Sequence, residues 1–260
     1  MKDLLIIGAG AMGGALARGI AAAGDRSRSI GLLDRHLDKA EPIAREFEGI
    51  EAVAGIVPAK VYLVAVKPYH VRELLGQLPR GAGIISIAAG ITLDQLADWA
   101  PEGSVLVRAM PNTACEVREG VTALTAATGA ERLLELSVEL FSLVGMALVV
   151  EEKLFNLVSA ISGSGPAYVF MMIEAIQEAG ITFGLKSEVA LDLAVATVKG
   201  AGILASQRGG DPRGLRLKVT SPGGMTAAAI RVFEENRLRY QFIEAIGAAI
   251  GRAEELSRNG

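Results

Sequence analysis

Gly8, Gly10 and Gly13 carry the spacing G-x-G-x-x-G. The segment Ile7-Gly8-Ala9-Gly10-Ala11-Met12-Gly13 joins an aliphatic run, Leu4 to Ile7, to a helical pattern of Ala11, Ala15, Leu16 and Ile20. Strand, tight turn and helix N-terminus in that order make an anion site. Gly8 permits the turn, Gly10 lets backbone approach a pyrophosphate, and Gly13 lets helix close on strand. The spacing alone is a weak signal. It is strengthened by the next aliphatic run, Ile30 to Leu33, which ends in Asp34, about twenty residues past the loop, where an acid would hold an adenosine ribose. Asp34 argues for NAD, because it accepts hydrogen bonds from a 2′-hydroxyl and repels a 2′-phosphate. Arg35 and His36 argue for NADP, because a guanidinium pairs bidentately with phosphate and an imidazole adds a donor. The sequence leaves NADPH and NADH both open.

Three later strand ends carry unusual residues. Val61 to Val66, which includes Ala65, ends at Lys67-Pro68; Ile84 to Ile87 ends at Ala88-Ala89-Gly90; Val105 to Ala109 ends at Met110-Pro111-Asn112-Thr113. In open α/β sheets ligands bind at the carboxyl ends of strands. The small residues at 88 to 90 would let a nicotinamide ring lie against backbone, while Lys67 and Asn112 offer a cation and an amide at the same edge. Two Gly-rich segments follow in the second half. Ser164 of Ser162-Gly163-Ser164-Gly165-Pro166-Ala167-Tyr168 is placed to cap a helix. In Ser221-Pro222-Gly223-Gly224-Met225-Thr226, Ser221 falls at a cap, Pro222 at the first helical position, and the glycines leave N–H groups open to an anion such as a carboxylate.

The elements that must position these groups change character along the chain. Strands are predicted at 4–8, 30–34, 61–66, 84–87, 105–109, 121–125 and 146–150, with helices near 11–23, 37–47, 69–78, 92–98 and 130–143, the alternation that builds parallel βαβ units. After Glu152, apolar residues recur at three- and four-residue spacing, predicting helices at 153–160, 165–180, 187–207, 223–235 and 239–257. The expected fold is an α/β Rossmann-type doubly wound sheet followed by an all-helical dimerisation domain, with domains at 1–152 and 153–260. The small-residue face Ala194, Ala196, Gly200, Ala201 and Ala205 permits close approach of helices and suggests subunit pairing.

Bulk composition excludes several classes. A net charge of -3 over 260 residues removes the basic footprint of general nucleic-acid binding. Cys115 is the single cysteine, which argues against a disulfide or a multi-cysteine metal site, fits a reducing, cytoplasmic setting, and reads as a small buried hydrophobe. No metal is expected. The uncharged stretch 154–173 is long enough to suggest a membrane span. Gly163-Ser164-Gly165-Pro166 at its middle fits a buried loop-to-helix junction better. His36 and His70 are the only histidines, and neither position suits a proton donor.

Taken together, GAGAMG at 8–13, AVKP at 65–68, SIAAGIT at 86–92, RAMPNT at 108–113, SGSGPAY at 162–168 and VTSPGG at 219–224 resemble the pyrroline-5-carboxylate reductase family, in family order and over nearly the whole chain. The resemblance implies a Rossmann domain, a helical domain that forms homodimers and often rings of dimers, and an active site completed between subunits. It implies NADPH or NADH as cofactor and a cyclic imine bearing a carboxylate as substrate, reduced to proline. Carried over by position, Ser221 and the backbone of Gly224, Met225 and Thr226 would bind the carboxylate, and the Thr226 hydroxyl would serve the ring nitrogen as the catalytic group. Gly8, Ala11, Met12, Gly13, Ala65, Val66, Lys67, Ala89 and Asn112 would contact the cofactor, and Glu152 stands where the family has an acidic residue near the site. Ala114, Met225 and Leu217-Lys218 depart from the family pattern, as does a short segment between Gly49 and Lys60. Two rivals remain: a reductase of the 3-hydroxyacid dehydrogenase type, which would use a second-domain lysine as acid, and a non-catalytic NAD(P)-sensing protein.

Overall fold

The computed structural model describes residues 1–24, 28–207 and 210–259. Its sheet comprises β1 (Lys2–Ile7), β2 (Ile30–Leu33), β3 (Ile50–Val53), β4 (Ala59–Val64), β5 (Gly83–Ser86), β6 (Val105–Met110), β7 (Gly120–Ala126) and β8 (Gly145–Val149), in the order β3-β2-β1-β4-β5-β6-β7-β8. From β3 to β6 neighbours run parallel. The order reverses at β1 and β4, and such a switch point opens a crevice at the carboxyl ends of the two strands.

Burial on both faces explains why β1 reads as an unbroken aliphatic run. Leu4 and Ile6 enter one core layer with Leu16 and Ile20 of α1 (Ala11–Ala22) and Ile43 of α2 (Leu37–Glu46). Leu5 and Ile7 enter the other with Val71 and Leu75 of α3 (Pro68–Leu75) and Leu93 and Leu96 of α4 (Leu93–Trp99). Removing a fully buried Leu such as Leu5 to Ala costs about 2–5 kcal/mol in cores of this kind. Helix α5 (Glu131–Ser142) covers the far end of the first layer with Leu133, Leu140 and Phe141.

Two features of the sheet differ from expectation. β3 was not foreseen, since it is a short edge strand with Glu51 exposed and carries little periodicity. β7 runs antiparallel to β6: a parallel return needs a dozen or more residues, and the connection 111–119 is shorter, holding one 3-10 turn, Thr113–Val117. Cys115 in that turn is buried, as the sequence suggests. Helix α1 approaches it closely, because a Cβ on Gly19 would collide with the Cys115 carbonyl.

No strand follows β8 among the described residues. The predicted helix at 153–160 is a 3-10 turn (Glu152–Leu154), the short α6 (Phe155–Val158) and a π turn (Ser159–Gly163) that runs on into α7 (Gly165–Thr182). The junction at 163–166 is therefore helical and partly exposed rather than a buried loop, and Ser164, with helical dihedrals, caps nothing. Helices α8 (Ser187–Gln207), α9 (Pro212–Lys218), α10 (Met225–Glu235) and α11 (Leu238–Asn259) complete the chain. Helix α9 was not foreseen, although Pro212 stands at its first turn, where proline suits a helix start.

Contacts divide the chain into two compact units, Met1–Pro166 with Ala249–Gly260, and Ala167–Ala248. In the second, α7 and α8 meet through small residues: a Cβ on Gly180 would lie 2.9 Å from that of Ala190. Ala190 and Ala194 are buried, whereas Ala196, Gly200 and Ala201 stay exposed in the single chain. The helical stretches Glu152–Thr182 and Ser187–Gln207 are apolar and long enough to cross a membrane, with 11% of each window buried.

Candidate active site

The β1–α1 turn lies where the topology puts a crevice. Gly8 has φ +112°, a region other residues avoid, and a Cβ there would lie 2.6 Å from the carbonyl oxygen of Ala65, just past β4. A Cβ on Gly13 would collide with the Gly8 carbonyl. Gly10 differs: nothing lies within 4 Å of the Cβ it lacks, and as the N-cap of α1 it provides no side-chain cap. The first N–H groups of a helix have no intrahelical partner, so those of Ala11 and Met12 stand free for an anion beside open space. That open cradle fits a pyrophosphate.

A cleft of about 820 Å³ extends from this loop, within the range of small-molecule sites. Of the expected residues it is lined by Ile7, Gly8, Gly10, Ala11, Met12, Asp34, Arg35, His36, Ala65, Val66, Lys67, Pro68 and Ala89. Asp34 is partly buried and engaged at both oxygens: Oδ2 accepts from the Ala9 N–H at 2.8 Å and Oδ1 from the His36 N–H at 2.9 Å. Lys67 is exposed at the N-cap of α3, with Pro68 in its first turn. Ala89 is exposed to the cleft after β5.

Ala9, Gly13, Gly90 and Asn112 fall outside the lining. Ala9 and Gly13 shape the turn from behind. Gly90, at φ +82°, instead faces Leu256, whose Cβ lies 3.1 Å from the Cβ it lacks. Asn112 is buried and used: its Nδ2 donates to the Ser162 carbonyl (2.9 Å) and its Oδ1 accepts from the Val121 N–H (3.2 Å), bracketing β6, β7 and the π turn. The sequence places the Asn112 amide at the strand edge but does not show these partners. The structure adds to the cleft Lys39, the segment Ala54-Gly55-Ile56 beyond the unforeseen β3, and the Tyr69–His70 pair, whose rings lie 4.4 Å apart.

Glu152 is also committed within its own unit. Its Oε1 accepts from the Leu93 N–H at the start of α4 (2.8 Å) and from Arg108 Nη1 (3.1 Å). The Arg108 side chain, 5% exposed, stacks 4.1 Å over the Phe155 ring. Burial lowers its pKa from the usual value, and the Glu152 carboxylate opposes that shift. The pair ties the β5–α4 loop to β6.

In the second unit, the segment 221–226 forms a tight turn that leads into an uncapped helix entrance. Pro222 and Gly223 occupy the centre of a turn closed by Gly224 N–H donating to the Ser221 carbonyl at 3.1 Å, with Gly223 at φ +70°. Proline then glycine at these positions is the type II signature. The helix therefore starts at Met225, with Gly224 rather than Ser221 as N-cap and no side-chain cap. A Cβ on Gly224 would collide with the Ser221 hydroxyl, which places that hydroxyl against the helix entrance. Thr226, in the first turn, is half-buried, and Met225 is 93% exposed.

A glycine-turn cleft at the switch point of a Rossmann-type sheet, joined in one chain to a helical unit with an uncapped entrance at Met225, is the architecture of an NAD(P)-dependent oxidoreductase. Comparison with known proteins gives its family. Residues 152–256 match the family model described as pyrroline-5-carboxylate reductase dimerisation, and residues 3–90 match that described as NADP oxidoreductase, coenzyme F420-dependent. The chain is 36% identical to a pyrroline-5-carboxylate reductase of Arabidopsis thaliana, covering 97% of this chain and 95% of the relative. It is 35% identical to one of Mycobacterium tuberculosis, covering 98% and 97%. Among solved structures, a pyrroline-5-carboxylate reductase from Coxiella burnetii superposes with a TM-score of 0.86 at 36% identity, with 98% of each chain covered. That of Plasmodium falciparum, with NADP bound, superposes with a TM-score of 0.86 at 25% identity over 98% of each chain. The chain belongs to the pyrroline-5-carboxylate reductase family.

Proposed function

We propose that this chain reduces the C=N bond of 1-pyrroline-5-carboxylate to give L-proline, the last step of proline biosynthesis, with NADPH or NADH as reductant. The observation that carries the site assignment is the pair of uncapped helix entrances, Gly10 to Met12 and Gly224 to Thr226. One is suited to a pyrophosphate and the other to a carboxylate. When bound, the nicotinamide supplies the hydride that reduces the imine carbon. The chain's residues hold and orient. Backbone N–H groups at the start of α1 take the pyrophosphate, Ala89 offers a flat surface, and Lys67 adds a cation at the cleft wall. The N–H groups at the start of α10 and the Ser221 hydroxyl hold the substrate carboxylate. The Thr226 hydroxyl hydrogen-bonds the ring nitrogen and favours its proton-bearing form. Glu152 acts by bracing the β5–α4 loop.

The functional division lies at 152/153, supported by the dimerisation model that starts at residue 152, with dinucleotide binding before it and pairing and substrate binding after it. A second copy covers the exposed apolar side chains of the helical unit, among them Phe170, Met171, Leu193 and Ile243, and the dimers assemble into rings as the family resemblance implies. That occupant, rather than a lipid bilayer, accounts for the apolar helices, and the enzyme acts in the cytoplasm without nucleic acid. Against the 3-hydroxyacid dehydrogenase reading, α7 contains no lysine. The test is oxidation of NADPH and of NADH, assayed separately, upon addition of pyrroline-5-carboxylate. Turnover with at least one is expected, and none with either would overturn the proposal. Mass measurement in solution should give a dimer or a multiple of it; a monomer would contradict the pairing.

A further inference from the structure

We propose that this enzyme selects NADH over NADPH, and that Asp34 is the residue that reads the difference. The inference rests on the dinucleotide reading of the cleft and goes beyond it. Sequence alone allows either cofactor, because Asp34 could turn aside and leave Arg35 and His36 to a 2′-phosphate. In the structure Asp34 cannot turn aside without breaking two hydrogen bonds. Its carboxylate is tied to the Ala9 N–H, within the glycine turn itself, and to the His36 N–H. Both are charge-assisted bonds, the stronger class.

This places a fixed negative group directly beside the pyrophosphate loop, on the path that an adenosine ribose joined to that pyrophosphate must take along the cleft wall formed by Leu33, Asp34 and Arg35. Each carboxylate oxygen retains acceptor capacity after one N–H bond, which suits ribose hydroxyls. A 2′-phosphate, which carries a charge of roughly −2, would meet that carboxylate at close range. Arg35, His36 and Lys39 lie in the same corner but are exposed, so their attraction for a phosphate is screened by solvent and salt. The fixed, partly buried carboxylate outweighs the exposed, solvent-screened cations.

The experiment is calorimetric titration of the full chain with NADH and with NADPH at one ionic strength. We expect NADH to bind at least tenfold more tightly, about 1.4 kcal/mol. Equal binding, or tighter binding of NADPH, would overturn the preference. Binding of neither would overturn the dinucleotide reading itself, so the two failures are distinguishable. Asp34→Asn, checked for folding by its melting temperature, should narrow the ratio below threefold; an unchanged ratio in a folded variant would remove Asp34 as its cause. Should that variant not fold, competition on the unaltered enzyme isolates the same corner. Adenosine 5′-monophosphate should displace NADH more effectively than adenosine 2′,5′-bisphosphate, and the reverse order would overturn the proposal.

Discussion

The entrances of α1 and α10 use one physical device in two settings. Both helices begin behind a Gly N-cap that supplies no side-chain bond, so both present free N–H groups to an anion. The first is walled by sheet: Gly8 and Gly13 are fixed by contacts with Ala65 and with each other, and Leu4 to Ile7 of β1 and Val61 to Val64 of β4 beneath are buried. The second stands at the end of a turn, on a unit in which, among the described residues, the buried apolar ones are Ala190 and Ala194. The first entrance is held by its own core within one chain. The second stands on a helical unit that is largely exposed in the single chain and that matches a family model described as dimerisation, so the proposed carboxylate site is expected to gain its surroundings on pairing.

The contrast can be broken by substitution, and the largest effect is expected in the walled loop. Gly13→Ala drives a Cβ into the Gly8 carbonyl, backbone against backbone, and should cost about 3 kcal/mol or more. That corresponds to a fall in melting temperature of roughly 6–12 °C; an unchanged melt would show that the turn is not held as described. At the cradle, Thr226→Ala should leave the melting temperature nearly unchanged and lower kcat/KM about tenfold or more, as for one lost transition-state hydrogen bond. Unchanged kinetics would remove Thr226 from the reaction.

Glu152 belongs with the frame. Glu152→Gln leaves the buried Arg108 without its counter-charge, and a loss of about 1–3 kcal/mol is expected in chemical denaturation. If instead the substitution raised KM for the imine at unchanged stability, Glu152 would be a substrate ligand as its position in the family suggests. The smallest effect concerns Asp3, at the opposite, amino-terminal edge of β1. Bonds from Lys60 and Ser29 hold its carboxyl well below the usual carboxylate range. A depressed folded-state pKa stabilises above the unfolded value and is lost as pH falls. The contribution should thus be full above about pH 4 and fade below it, and Asp3→Asn should flatten that part of the stability curve.

How much of this was legible depended on whether the signal was local. The β1–α1 turn is contiguous, with Gly8 and Gly13 each answering to a steric demand and Gly10 leaving the helix entrance open, so spacing sufficed. Asp34 was placed correctly at a strand end, but the bonds that fix its carboxylate come from folding, and the choice of cofactor stayed open without them. Asn112 was singled out by its place at a strand end and Glu152 by the family resemblance, and neither signal shows what each side chain is bonded to. Their partners, Ser162 and Val121 in one case and Leu93 and Arg108 in the other, lie far enough away in sequence that only the fold reveals them. Strand β3 gave little periodic signal because it is short and at an edge. The Pro222-Gly223 turn could have been read, since proline followed by glycine specifies a type II turn and moves the helix start to Met225. The helical unit's exposed apolar face was visible as composition, while what covers it follows from the family.

The most direct test of the division of labour between the two cradles is a comparison of Gly10→Ala and Ser221→Ala in steady-state kinetics. Gly10→Ala fills open space above the first cradle and should raise KM for the nicotinamide cofactor severalfold while leaving KM for pyrroline-5-carboxylate within about twofold. Ser221→Ala should do the reverse. Two variants that raised the same KM, or a Ser221→Ala enzyme with unaltered affinity for the imine, would contradict the assignment of pyrophosphate to one helix entrance and substrate carboxylate to the other.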